Sequence, residues 1–164
     1  MWIIHHQLVC FSLTCFFSLW LAKVAMCFLF RYFAIVLEAL FQIYPCYVKF
    51  NQTTTSLPDH IRKNTKFKPF KKCLGALDGV LVPAHVPTSI QSSWRSQKGF
   101  ISQNILAAAN FNFEFVYILA GWEGSAHDTQ VFNDATSKGL NIRDCFYFLA
   151  DAGYGLQPGL MTLY

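Results

Sequence analysis

Residues Phe113–Ala120, FEFVYILA, give the clearest strand signal in the chain, because aromatic and aliphatic side chains fill a short run that ends at Gly121. Three other short apolar runs, found by moving outward along the sequence, also predict strands. They are Leu74–Val82, Ile101–Phe111 and Phe146–Ala150. The chain therefore contains four predicted strands.

A helix separates the last two of these strands. Asp128–Lys138 has helical character, and Gly139 follows it in the usual glycine position after a helix end. We expect the first three strands to form an antiparallel meander, and the helix to cross over so that the fourth strand lies parallel to the first. This order predicts an α/β fold with a mixed (α+β) sheet.

Three aspartates fall where the predicted strands end or turn. Asp78 lies in the first strand, Asp128 at the start of the helix and Asp151 directly after the fourth strand. In the expected topology the carboxylates of Asp128 and Asp151 emerge at one edge of the sheet, with Asp78 close by. Clustered carboxylates repel each other unless they share protons or cations. Oxygen-only ligands suit Mg²⁺ or Mn²⁺, and two such ions can cleave a phosphodiester.

Each aspartate also has a purely structural interpretation, which the spacing alone leaves open. Asp78-Gly79 between apolar runs is a strong hairpin signal. Asp128 is a good helix cap, and Asp151 suits an ordinary turn. Ser125 and His127 beside Asp128 do not indicate a serine hydrolase, because near neighbours in sequence rarely form a relay and the chain has no G-x-S-x-G.

The composition excludes several other classes of protein. Hydrophobic residues make up 54% and charged residues 13% of the chain, which excludes a disordered protein. The six cysteines form no C-x-x-C pair, and their spacing matches no zinc or disulfide framework.

The hydrophobic excess is concentrated in residues 1–30, an apolar N-terminal segment. Residues 1–22 contain no charged side chain, and about 20 such residues can cross a bilayer. A transmembrane helix, a signal peptide without the usual basic start, and translated non-coding sequence joined to a real domain all remain open. The next region, residues 31–72, combines an amphipathic helix, Phe33–Tyr44, which we expect Pro45 to end, with a basic linker. Residues 73–164 form the predicted sheet domain.

The linker carries a run of basic residues. They are Arg62, Lys63, Lys66, Lys68, Lys71 and Lys72. One interpretation is a solvated charged face. The alternative is a strip that binds the phosphates of a nucleic acid.

Four stretches of this sequence together resemble the nuclease domain of Harbinger-type (PIF/Harbinger) transposases and the plant and animal proteins derived from them. The resemblance covers residues 31–164 in the family's order. The stretches are Cys73–Gly79 (CLGALDG), Gln97–Ala108 (QKGFISQNILAA), Phe115–Asp128 (FVYILAGWEGSAHD) and Phe148–Tyr154 (FLADAGY).

The resemblance implies an RNase H-like fold and metal-dependent cleavage of DNA by a DDE-type endonuclease. It identifies Asp78 and Asp128 as catalytic residues, and Asp78, Asp128 and Asp151 as ligands of a divalent cation, Mg²⁺ or Mn²⁺. Lys98 lies in a family motif, and with Lys71 and Lys72 it is our candidate for nucleic-acid binding.

This chain departs from the family pattern in two places. The family's last catalytic residue is a glutamate on a later helix, and no acidic residue follows Asp151 here. In addition, Gln97 stands where the family usually has arginine in Arg-Lys-Gly. We therefore expect an incomplete RNase H-like fold, with the fourth strand at an exposed edge, and a truncated, inactive nuclease that retains weakened cation binding.

The partners follow from the same resemblance. It implies residual DNA binding, a nuclear location and a Myb-like partner protein. The alternative is a non-catalytic domesticated module that binds DNA or protein, with membrane attachment through residues 1–22.

Overall fold

The computed structural model describes the backbone of residues 2–50 and 57–162, and the side chains of residues 23–50, 57–59 and 61–162. The chain divides into two compact units, residues 1–45 and 46–164.

The first unit consists of helix α1, which runs without a break over Trp2–Tyr47. Our expectation that Pro45 ends this helix is wrong by two residues, because Pro45 lies inside its last turn. A proline there removes one amide donor but leaves the carbonyls of the final turn in helical positions, so the helix can extend slightly past it.

Part of α1 is long and apolar enough to span a membrane. Residues 23–47 meet this condition by length and composition, and none of the side chains in the most apolar stretch is buried. The membrane segment expected at residues 1–22 lies outside the part of the chain whose side chains are described. Membrane insertion therefore stays a prediction.

In its described residues, 46–50 and 57–162, the second unit contains a five-stranded sheet and one helix of more than a single turn. Its strands are β1 (Cys73–Pro83), β2 (Ser102–Ala109), β3 (Phe115–Glu123), β4 (Tyr147–Ala150) and β5 (Leu160–Thr162). Its helices are α2 (Asp59–Arg62), α3 (Gln91–Trp94) and α4 (Asp128–Ser137), with 3₁₀ turns at Thr65–Phe70, Thr88–Ile90 and Ala152–Tyr154.

The strand order is β3-β2-β1-β4-β5. β1–β2 and β2–β3 pair antiparallel, whereas β1–β4 and β4–β5 pair parallel. The expected meander and the crossover through α4 are therefore confirmed, as is the mixed α/β class. This arrangement is consistent with the RNase H-like fold that the resemblance implies.

Three details of the sheet differ from expectation. The turn between β2 and β3 is longer than expected, because β2 ends at Ala109 rather than Phe111 and β3 begins at Phe115 rather than Phe113. β3 continues past Gly121 to Glu123, because Trp122 and Glu123 still pair with β2. Moreover, β4 is not an edge strand, since β5 pairs with its residues Phe148–Ala150. A three-residue strand such as β5 has too few residues to show a period in the sequence.

The core lies on one face of this sheet. Alternate residues of β2 are buried there beneath α4, which contributes Val131, Phe132 and Ala135. On the other face, Val80 and Val82 are 51% and 41% exposed. In the described part of the chain this second face is not fully covered, so the RNase H-like fold is incomplete.

Helix α4 is tied to the sheet by a buttress of three polar side chains. The Trp122 indole donates a hydrogen bond to the Asp134 carboxylate at 2.8 Å, and the Lys138 ammonium contacts the same oxygen at 2.8 Å. The hydrogen bond from Lys138 lowers the pKa of Asp134 below its ordinary 3.8; partial burial opposes the shift, and the bond from Trp122 reinforces it. The ionised carboxylate therefore favours the folded state.

This buttress predicts a pH-dependent effect of Asp134→Asn. A carboxyl whose pKa is lowered on folding stabilises the protein above its ordinary pKa, and that stabilisation is lost as pH falls through the folded-state pKa. We expect Asp134→Asn to lower the melting temperature at neutral pH, and the gap from the parent to close below pH 3.8. Circular dichroism melts across this range measure it, with Asp144→Asn, on an exposed loop, as the control. A gap that is the same at neutral and acid pH would contradict the prediction.

Candidate metal and nucleic-acid site

A cavity of about 400 Å³ opens beside the carboxyl end of β4. Its lining residues come from β1 and β2, the turn before β2, the loop after β3, the start of α4 and the residue after β4. Its lining includes Asp78, Asp128, Asp151, Gln97, Lys98, Asn104, His127, Gly79 and Gly124. All three predicted ligand residues and one of the three predicted nucleic-acid-binding lysines therefore meet at one cavity.

Strand pairing explains why Asp78 and Asp151 are neighbours. Leu77 on β1 pairs in parallel with Ala150 on β4, so the next residue on each strand is an aspartate. Parallel strands lie roughly 4.8 Å apart and paired positions share a face. Each carboxylate accepts a 2.7 Å hydrogen bond from the amide that follows it, Gly79 N or Ala152 N.

Asp128 reaches the same place from the first turn of α4, where the helix dipole favours a negative charge. Gly153 leaves room for it, because a Cβ atom there would lie only 2.7 Å from Asp128 Oδ2. The glycine of Asp151-Ala-Gly153 therefore makes space for a carboxylate from a distant part of the chain.

All three carboxylates act electrostatically on Tyr154. Its side chain is 1% exposed, and its hydroxyl has no hydrogen-bond partner in the described part of the chain. Burial raises the pKa of Tyr154 well above its ordinary value, and the charges of Asp128, Asp78 and Asp151 raise it further, in that order. The three carboxylates therefore act on one buried group.

A tight hairpin turn carries Lys98 to the cavity. Gly99, with a φ of +87°, lets its amide donate to Ser96 O at 2.9 Å, and Ser96 N donates to Phe100 O at 3.0 Å. Arg95 braces the turn by donating to Gly99 O at 2.7 Å. This turn fixes the backbone at Lys98, whose exposed side chain lines the cavity together with the carboxylates.

Lys71 and Lys72 are not part of this cavity. They precede β1, and Cys73 at its start is five residues, or roughly 16 Å of extended strand, before Asp78. Both lysines are exposed. Their binding of nucleic acid stays a prediction, and it requires a surface separate from the carboxylates.

Sequence reasoning missed two polar residues at the site, Asn104 and Tyr154. Asn104 is 4% exposed and shares the buried face of β2 with Leu106 and Ala108. A polar residue in register with core positions was the available signal. Tyr154 gave no such signal, because a tyrosine after a strand is most simply interpreted as packing.

The donor chemistry of the cavity suits a hard divalent cation, although its side chains are not gathered around one. Carboxylate and amide oxygens are the ligands that Mg²⁺ and Mn²⁺ prefer. The buried, unpartnered Tyr154 hydroxyl also leaves a polar atom to be satisfied. Among the described residues, however, no group of three or more His, Cys, Asp or Glu side chains is close enough to hold one ion. Cation binding therefore requires the carboxylates to turn inward.

The family model described as DDE superfamily endonuclease matches residues 77–164. The chain belongs to this family. The match covers more than half of the sequence and includes all three aspartates, Lys98 and Tyr154, while α1 and the basic run lie outside it. No curated protein and no solved structure matches the chain. Membership in the DDE endonucleases agrees with the nuclease class that the motifs implied.

The close packing of the cavity wall can be tested at Gly124. A Cβ atom there would lie 2.7 Å from the backbone oxygens of both Ser102 and Trp94. Because backbone atoms cannot move aside cheaply, we expect Gly124→Ala to destabilise the protein by roughly 1–3 kcal/mol. Thermal unfolding measures this effect, with the exposed neighbour Ser125→Ala as the control. Equal stabilities of the two variants would show that Gly124 is not needed for packing.

Proposed function

We propose that this chain is a Harbinger-type, transposase-derived nuclease domain that binds a divalent cation, Mg²⁺ or Mn²⁺, and DNA in the nucleus. One observation carries the proposal. Asp78, Asp128 and Asp151 come from three separate stretches of the chain, line one cavity and raise the pKa of the same buried tyrosine. A turn, a cap or a hairpin explains each aspartate alone, but none of them explains why all three converge.

Electrostatic repulsion accounts for the arrangement of the carboxylates without a cation. Asp78 and Asp151 lie on adjacent strands, and each bonds to the amide that follows it. Like charges that close disfavour one another, so each carboxylate is more stable turned to its own backbone. A divalent ion reverses this preference, and we propose that Asp78, Asp128 and Asp151 then turn toward it.

A bound cation would supply Lewis acidity that activates water and stabilises the leaving oxygen of a phosphodiester. The chain's own residues supply the rest. The Lys98 side chain, which lines the cavity, would contact a backbone phosphate and offset part of the negative charge of the carboxylates. The N-terminal end of α4 favours negative charge and so favours Asp128 at this position.

We further propose that this chain does not cleave DNA efficiently. Gln97 lacks the charge of the arginine usual at that position in the family, so one phosphate contact is lost. Fewer cationic contacts weaken stabilisation of the reacting phosphate.

The first test is a Mn²⁺ titration of the full chain in mild detergent by isothermal calorimetry. We expect saturable binding in the parent. The double variant Asp78→Asn, Asp128→Asn should lose it, because two of three negative ligands become neutral. The matched control is Asp59→Asn, Asp144→Asn, which removes two exposed carboxylates that do not line the cavity.

One result would contradict the site assignment, and another would contradict only the proposal that cleavage is inefficient. If the Asp78, Asp128 double variant bound Mn²⁺ as tightly as the parent, the carboxylate site would be wrong. If the parent nicked a supercoiled plasmid in Mn²⁺ and the double variant did not, the site would stand but the claim of inactivity would fall.

A second, non-catalytic role for the chain is favoured by the separation of the basic run from the cavity. Lys71 and Lys72 are exposed and lie just before the start of β1, whereas Asp78 lies in the middle of this strand. A DNA- or protein-binding module would use this surface and would not need the aspartates. We propose that helix α1 provides membrane attachment in this alternative, since residues 23–47 are long and apolar enough to span a bilayer.

Charge reversal tests the DNA contact of the basic run. Each lysine that neutralises a phosphate contributes roughly 0.9 to the slope of log affinity against log salt. We expect Lys71→Glu, Lys72→Glu to weaken duplex binding and to reduce this slope by about 2. Fluorescence anisotropy over a salt series measures both, with Lys49→Glu as the control. Unchanged affinity and slope would remove the basic run from the binding surface.

A further inference from the structure

The hydroxyl group of Tyr154 is out of place for a residue that only packs. The ring belongs to the hydrophobic core, but the hydroxyl is buried without a hydrogen-bond partner in the described part of the chain. A buried donor without a partner is costly, and phenylalanine would fill the same space without that cost. The position of this hydroxyl therefore calls for an explanation other than packing.

The backbone ties Tyr154 to the helix that carries Asp128. Tyr154 ends the 3₁₀ turn that follows Asp151, and Thr129 Oγ1 donates to its carbonyl oxygen at 3.2 Å. Thr129 is the residue directly after Asp128. The start of α4 and the turn after β4 are thus joined at the cavity, so that Tyr154 and Asp128 keep a fixed relation to one another.

Two hydrogen-bond acceptors lie near the hydroxyl. A Cβ atom at Gly79 would lie 3.1 Å from the Tyr154 hydroxyl, 3.3 Å from Asn104 Oδ1 and 3.5 Å from Asp128 Oδ1. The three oxygens therefore border a single space that the missing side chain of Gly79 leaves open. Neither the Asn104 Oδ1 nor the Asp128 carboxylate can donate, so a hydrogen bond between either of them and the phenol has the phenol O–H as its donor.

We infer that Tyr154 is a positioning residue of the carboxylate site: with a cation in the cavity, its hydroxyl donates a hydrogen bond to the Asp128 carboxylate, directly or through one ordered water. This bond holds one oxygen of Asp128 and leaves the other directed at the ion. The inference rests on the proposed cation site. It extends that site by a group that is not itself a ligand, in the way that second-layer hydrogen bonds orient metal ligands in general.

The test compares Tyr154→Phe with the matched control Tyr147→Phe in the full chain in mild detergent. Tyr147 donates to Pro69 O at 3.2 Å, away from the cavity. We expect Tyr154→Phe to weaken Mn²⁺ binding by roughly 10-fold or more, with no loss of melting temperature in the metal-free protein. We expect Tyr147→Phe to bind Mn²⁺ as the parent does and to melt no higher than the parent.

Mn²⁺ affinity and melting temperature together distinguish a positioning role of Tyr154 from a packing role. A residue that only fills the core would change the melting temperature and leave Mn²⁺ affinity unchanged. If Tyr154→Phe binds Mn²⁺ with parental affinity, the inference is overturned while the cation site stands. If the parent shows no saturable Mn²⁺ binding, the cation site and the inference fall together.

A second measurement covers the case in which Tyr154→Phe does not fold. Mg²⁺ titrated into the parent should change the tyrosine ultraviolet difference spectrum, with saturation at the same concentration as binding, because a free phenol gains an acceptor. Tyr147→Phe should keep this change. A spectrum that stays constant while Mg²⁺ binds would overturn the inference.

Discussion

Everything at the candidate site depends on the parallel pairing of β1 with β4. Leu77 pairs with Ala150, and both are buried, so the register of the two strands is fixed by the core. The residues that follow are Asp78 and Asp151, which the same register makes neighbours. A slip of one position would bury one of these carboxylates in the core, where an unpaired charge is strongly disfavoured. Hydrophobic packing therefore sets the position of the polar site.

Helix α4 supplies the third carboxylate, and its placement is constrained at both ends. Near its C-terminal end the buttress of Trp122, Asp134 and Lys138 joins it to β3. At its N-terminal end Thr129 bonds to the backbone of Tyr154. A helix held at two points cannot rotate freely about its axis. Its first residue, Asp128, is consequently directed at the cavity.

Much of this arrangement could be predicted from the sequence. Period, length and glycine placement were enough for the meander, the crossover helix and the convergence of Asp78, Asp128 and Asp151, because these depend on patterns that repeat over many residues. The continuation of β3 past Gly121 could not be predicted, since a glycine with a φ of +111° usually ends a strand and here is retained by pairing on either side. β5 was missed because three residues carry no period.

The role of Tyr154 lay beyond sequence reasoning for a different reason. Its ring packs in the hydrophobic core, whereas its hydroxyl has no hydrogen-bond partner among the described residues. This difference between two parts of one side chain can be seen only in the structure. The same holds for Gly153, which the sequence presents as a turn residue and which the structure places against the Asp128 carboxylate. These features depend on contacts between distant segments, which no local pattern encodes.

The cavity is a poor arrangement for stability, and this supports a functional origin. Two carboxylates on adjacent strands and a buried phenol without a partner each cost free energy in the absence of a ligand. Any of them could be replaced singly by a neutral or smaller residue without disturbing the register of β1 and β4. Natural proteins break the rules of local consistency mainly where a site requires it. Three such departures around one cavity are better explained by a ligand that offsets their cost than by independent accidents of packing.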